Sequence, residues 1–243
     1  MITNLRERSR LTNPPFGKKS SYKVITSEGD TESESMSYLR EDFWATTSNK
    51  QLNFLQHVRS LLRINGRAAI VVPDNVLFEG GAGETVRRQL LEQCDVHTLL
   101  RLPTGIFYAG GVKANVLFFD RKPPSEVPWT QKLWIYDFRT NQNFTLKARQ
   151  LGRSDLDDFV DCYKPGDRQE RRETERFRVF THAELMARDK ASLDIFWLRD
   201  ESLEDTDSLP PPEVIAAEIV EDLEAALSEF ASVAASLSER AKP

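Results

Sequence analysis

The chain has 243 residues, 40% of them hydrophobic and 29% charged, with a formal net charge of -5. That is enough for one α/β domain plus a smaller appendage, and the charge excludes an autonomous nucleic-acid binder held by phosphate contacts alone. The lone cysteines Cys94 and Cys162 and the scattered His57, His97 and His182 offer neither a disulfide framework nor a zinc site, and no apolar run reaches the roughly eighteen residues of a membrane helix. No metal and no membrane contact are expected, and cysteine usage of this kind suits a reducing, cytoplasmic compartment.

Residues 1–10 are polar and basic, without useful periodicity. Asn13-Pro14-Pro15-Phe16 follows, and few chemistries need an amide, two prolines and an aromatic in succession. The Asn13 side-chain carbonyl can accept a hydrogen bond from an exocyclic amine. The prolines fix the backbone and remove two donors, leaving a rigid, acceptor-rich corner. Phe16 adds a face on which a planar heterocycle can stack. Together they describe a clamp for the amino group of a base taken out of the nucleic-acid stack.

A Ser/Glu-rich stretch from Thr26 to Ser37 reads as a mobile loop. A helix is predicted from Asn49 to Arg63, with Leu52, Leu55, Val58, Leu61 and Leu62 on one face and Asn65-Gly66 as its stop. Ala68–Val72, closed by Pro73, has the pattern of a strand buried on both faces. Gly80-Gly81-Ala82-Gly83 precedes a helix from Glu84 to Gln93. Glu79 and Glu84 would repel a phosphate there, so a flexible turn is favoured over a nucleotide cradle. Further strands are expected at Val96–Leu102, Ala114–Asp120 and Leu133–Phe138. Strands separated by helices imply βαβ units in a Rossmann-like arrangement.

Residues 163–178 are densely charged and read as a solvated surface, with contact to DNA backbone as the functional alternative. Ser208–Pro212 is a stiff linker. Beyond it Ile219, Leu223, Ala226, Phe230, Val233 and Leu237 form a coiled-coil-type seam, too short to be stable alone, that must pack on its own domain or on a partner helix. Three segments result: 1–160 as a partial catalytic domain, 161–207 as a charged irregular connection, and 208–243 as linker and amphipathic helix.

Asn13-Pro14-Pro15-Phe16-Gly17, the helix at 50–63, Ile70–Asp74, Leu102-Pro103-Thr104-Gly105-Ile106-Phe107, Val116–Phe119 and the later Leu193–Leu198 together resemble the modification (M) subunit of type I restriction–modification systems. These are adenine-specific DNA methyltransferases that use S-adenosylmethionine. The resemblance implies that Asn13 accepts from the adenine amine through its side-chain oxygen and Pro14 through its carbonyl. Phe16, after Pro15, stacks on the flipped base. It also implies DNA, a specificity subunit and a restriction subunit as partners.

That family places its cofactor site ahead of the motif and orders its sheet 3-2-1-4-5-7-6. Only twelve residues precede Asn13 here, and Arg6–Thr12 reads as too charged for a buried strand. The fold expected is therefore the C-terminal part of a Rossmann-like methyltransferase sheet, lacking its first strands, with a C-terminal helical tail. The chain is expected to be N-terminally truncated, to keep at Asn13 only part of the cofactor site, and to be inactive alone. A non-catalytic module docking on a specificity subunit, and a decayed gene product, stand as alternatives.

Overall fold

The computed structural model describes residues 7–17, 21–25, 31–35, 37, 39–108, 111–146 and 149–199, and beyond these only Val220 and Leu227. The chain forms two compact units, Met1–Arg199 and Asp200–Pro243. Val220 and Leu227 are helical and exposed; all six positions of the C-terminal seam lie outside the described residues.

In the first unit, strand β1 (Glu7–Thr12) is followed by a two-stranded antiparallel ribbon of β2 (Ser21–Ile25) and β3 (Thr31–Ser35). Part of the stretch expected as a loop is thus strand. Ladder pairing from Ser21↔Ser35 to Ile25↔Thr31 supplies the order there, and so polar a segment carries no apolar periodicity to announce it. Helix α1 (Lys50–Leu61) is capped by Asn49, whose side chain accepts from the backbone N–H of Gln51 at 2.9 Å and Leu52 at 3.3 Å. Leu52, Leu55 and Val58 form its buried face. The helix ends at Leu61 rather than at Asn65-Gly66, because Leu62 already turns extended (φ -71, ψ 140) and opens β4 (Leu62–Pro73).

After β4 come α2 (Asn75–Phe78), α3 (Ala82–Gln93), β5 (Cys94–Arg101), β6 (Ala114–Arg121) and β7 (Lys132–Asp137). The unit closes with α4 (Asp157–Tyr163), β8 (Phe177–Thr181) and α5 (His182–Ala187). Six strands share one sheet in the order β1-β4-β6-β5-β7-β8. β1 is parallel to β4 and β5 to β7, while β6 runs antiparallel to both β4 and β5, and β8 antiparallel to β7. The run β1-β4-β6-β5 occupies the places 4-5-7-6 of the expected order, so this is a mixed α/β sheet of the Rossmann-like methyltransferase type.

The two sheet faces bury separate cores. Leu52, Leu55, Ile70, Val72, Val86, Leu90 and Leu99 belong to one, with α1 and α3. Leu100, Tyr136, Phe138, Phe159 and Phe177 belong to the other, with Val71, Val116 and Phe118 packed against them. Alternation along Ile70-Val71-Val72 feeds both, as expected of a two-sided strand.

Two expectations need correction. The charged segment before Asn13 does form a strand: β1 is an edge strand with Arg8, Ser9 and Leu11 exposed, and such a strand needs no apolar face on its open side. Residues 161–199, read as irregular, carry β8 and α5. Within 163–178, Arg172 and Arg178 are exposed as a solvated surface would have them, but three other arginines are tied inward: Arg168 bonds Asp95 at 2.8 Å and Asp120 at 2.9 Å. Arg171, 2% exposed, donates to the carbonyls of Tyr163 and His97, and Arg176 to those of Asp137 and Thr140.

Candidate functional site

Sheet register brings the chemistry-bearing loops to one edge. Thr12 pairs with Ile70, Pro73 with Ala114, and Arg101 with both Asn115 and Asp137. Asn13 follows β1, Asp74 follows β4, Leu102–Phe107 follows β5, Arg139 lies just beyond β7, and Lys113 leads into β6. Crevices outside the carboxyl ends of parallel strands are where open α/β sheets bind ligands. A cleft of about 980 Å³ lies there, walled by Phe16, Pro73, Asp74, Phe78, the turn at Glu79–Gly83, Lys113, Asp194 and Phe196.

The four motif residues divide around this cleft. Pro14 is buried, while Asn13, Pro15 and Phe16 are exposed. Phe16 stands on the cleft wall, edge-on to Phe107 with ring centroids 5.5 Å apart. Two motifs more than ninety residues apart in sequence therefore meet as an aromatic pair, ~1 kcal/mol beyond simple burial. Pro15 instead borders a separate groove of about 390 Å³ with Arg40, Phe43, Lys50, Phe54 and His57.

Sequence reasoning missed the polar framework behind the wall. Arg139 grips Asp74 with two nitrogens, each 2.8 Å from a carboxylate oxygen, and its Nε donates to the Leu102 carbonyl. Asn115, fully buried, donates to Asp74 Oδ1 at 2.8 Å. Burial pushes the Asp74 carboxyl up, but the hydrogen bonds from Arg139 and Asn115 outweigh it and hold the group below its ordinary range. Arg101, also fully buried, donates to Asp194 Oδ1 at 2.5 Å and to the Ile195 carbonyl at 2.6 Å. Burial, with the positive charge of Arg139, lowers its pKa. An arginine within Leu99-Leu100-Arg101-Leu102 and an asparagine within Ala114-Asn115-Val116-Leu117 were the available signals, because a polar residue in a buried run needs a partner.

The Gly80–Gly83 turn forms part of the wall, held from behind by Arg87. That side chain, 1% exposed, donates to the carbonyls of Val76, Glu79, Lys190 and Ala191. Burial lowers its pKa to about 10. Glu79 in turn accepts from Asn49 at 2.8 Å, which ties the turn to the start of α1.

Residues 9–195 match the family model of the N-6 DNA methylases. The chain belongs to this family. Within it the likeness is to modification subunits of type I restriction–modification systems. The chain is 39% identical to the methylase subunit of the type I restriction enzyme EcoKI of Escherichia coli K12, over 90% of its own length and 45% of that protein's. It is 38% identical to the StySPI methylase subunit of Salmonella potsdam, with the same coverage. Among solved structures, the EcoKI M protein superposes with a TM-score of 0.66 at 35% identity, covering 98% of this chain and 51% of that one. The chain thus spans about half the length of the relatives it matches.

An N-6 DNA methylase implies S-adenosylmethionine, and of the described residues those around Asn13 and the cleft are the ones to set against it. Among them β1 is the outermost strand on its side, so Asn13 stands at the rim with no described strand beyond it. Around the cleft Asp74 is held by Arg139 and Asp194 by Arg101, while Glu79 accepts from Asn49.

Proposed function

We propose that this chain supplies the target-base side of a DNA adenine N6-methyltransferase, as the modification subunit of a type I restriction–modification system. The carrying observation is the Asn-Pro-Pro-Phe turn at the carboxyl end of β1, with Phe16 on the wall of a cleft large enough for a nucleotide. In this reading the Asn13 side-chain oxygen and the Pro14 carbonyl accept from the exocyclic amine of an extruded adenine, and Phe16 stacks on its ring. Two acceptors in fixed positions aim the amine's lone pair, so the contribution of these residues is orientation and electrostatics, with no covalent enzyme intermediate. S-adenosylmethionine, when bound, supplies the methyl group. The strands that hold it pack against the open edge of β1, and without them the chain is inactive. DNA, a specificity subunit and a restriction subunit are its partners, in the cytoplasm.

The test is complementation. The chain is co-expressed with the portion of the E. coli subunit that it does not match and with a specificity subunit, and methyl transfer from labelled S-adenosylmethionine to DNA is measured. Transfer by the assembly, none by the chain alone, and loss of at least about 100-fold in Asn13→Ala are expected. Transfer by the chain alone would refute the half-site reading. Transfer that survives Asn13→Ala would refute the role of the motif.

A further inference from the structure

Phe196 stands on the same cleft wall as Phe16 and is 60% exposed, an expensive position for a phenyl ring. One face of the ring is covered. The Arg101 guanidinium carbon lies 4.0 Å from the ring centroid, and Arg101 is fully buried and tied to Asp194 and to the Ile195 carbonyl. A guanidinium held in this way fixes the ring's orientation before any ligand arrives, so little ordering remains to be done on binding. Phe78, 44% exposed, and Phe16, 38% exposed, add further aromatic surface to the same concavity. Of the carboxylates on this wall, Asp74 and Asp194 are engaged by arginines and Glu79 by Asn49, while the Lys113 side chain is exposed at the cleft. Planar apolar faces beside an exposed cation suit a planar, anionic guest such as a nucleotide.

From this we infer that Phe196, mounted on Arg101, is a stacking platform for a nucleobase of the DNA strand that enters the cleft. The inference rests on the base-binding reading of the cleft and adds a positioning residue outside the Asn-Pro-Pro-Phe motif. The base it takes is either the extruded adenine itself or a neighbour on the same strand, since each presents the same π-face.

The full-length chain is titrated with adenosine and with a fluorescein-labelled trinucleotide centred on adenine, the first by calorimetry and the second by anisotropy. Wild type is compared with Phe196→Ala, Phe196→Leu, Phe196→Tyr and Phe16→Ala. Loss of a base–aromatic stack weakens binding by about 5- to 150-fold, so Phe196→Ala and Phe196→Leu are expected to fall in that range while Phe196→Tyr stays near wild type. Weakening for both ligands assigns the target base to Phe196; weakening for the trinucleotide alone assigns a neighbour. Wild-type affinity in Phe196→Leu would mean an apolar contact without stacking and would overturn the inference. If Phe16→Ala weakens binding and Phe196→Ala does not, this inference fails and the motif's role stands. If neither matters, the base-binding reading of the cleft fails as well. Near-native circular dichroism is expected for each Phe196 variant, because the side chain is mostly exposed.

Discussion

At Gly105 the backbone adopts φ +82, and a methyl group added there would stand 1.9 Å from the Phe144 carbonyl oxygen. Both the conformation and the close approach demand glycine. Gly105→Ala should cost about 3 kcal/mol and displace the Leu102–Phe107 segment that brings Phe107 to Phe16. Urea unfolding checks this, with Gly166→Ala as the control, since nothing lies within 4 Å of a methyl at that position. Equal midpoints for the two variants would show that the Gly105 turn relaxes freely. A second residue-scale effect lies away from the cleft. Burial pushes the Asp120 carboxyl up, but His97 and Arg168 overcome it and hold it down at about 2. A carboxylate depressed in the folded state stabilises above its unfolded pKa, and that contribution is lost as pH falls through the folded value. The stability gap between wild type and Asp120→Asn should therefore be constant down to about pH 4 and close toward about pH 2. A gap that ignores pH in urea titrations would remove the ion pair from the account.

Among elements, one side chain makes most of the hydrogen bonds that join α2 and α3 to the turn after α5. Arg87 satisfies two carbonyls on each side, and its removal leaves four acceptors to find other donors. Arg87→Met keeps the volume and loses the donors, so a loss of roughly 3 kcal/mol or more is expected. Limited proteolysis should then cut within residues 78–83, on the cleft wall. An uncut turn with native stability would show that the clamp is dispensable. Elements of this kind divide into those legible in sequence and those not. α1, β4, α3, β5, β6 and β7 follow from apolar periodicity, because each buries a face. β1 does not, since an edge strand can carry arginines. Nor does α5, although Thr181 and Glu184 spell a capping box that the structure forms. Of the residues around the cleft, the Asn13–Phe16 motif stands out in the sequence because its members are adjacent. Asp74 and Arg139 do not, because the pair is built across 65 positions by sheet register and no local pattern records it.

At the scale of the molecule, the edge of β1 that no described strand covers bears on how the domain can be used. Its inner edge covers β4, whose Ile70 and Val72 would otherwise end the sheet as an apolar strand prone to pair with another chain. Its outer edge carries arginines that discourage casual pairing, yet it also exposes Leu11 at 84%. An apolar side chain that exposed, next to the Asn13–Phe16 motif, buries little within this unit and is suited to a contact with further strands in the proposed assembly. Leu11→Asp separates these two roles. The isolated chain should keep its stability to within about 0.5 kcal/mol in urea unfolding, as surface substitutions do. Complementation by the portion of the E. coli subunit that this chain does not match should be lost, because an aspartate would then be buried without a partner. Co-purification of the two pieces reads assembly directly, and methyl transfer reads its consequence. If Leu11→Asp assembles and methylates as wild type does, the completing strands do not pack over Leu11. If instead the variant fails to fold alone, Leu11 serves this unit's own core, and the edge of β1 is closed by this chain itself.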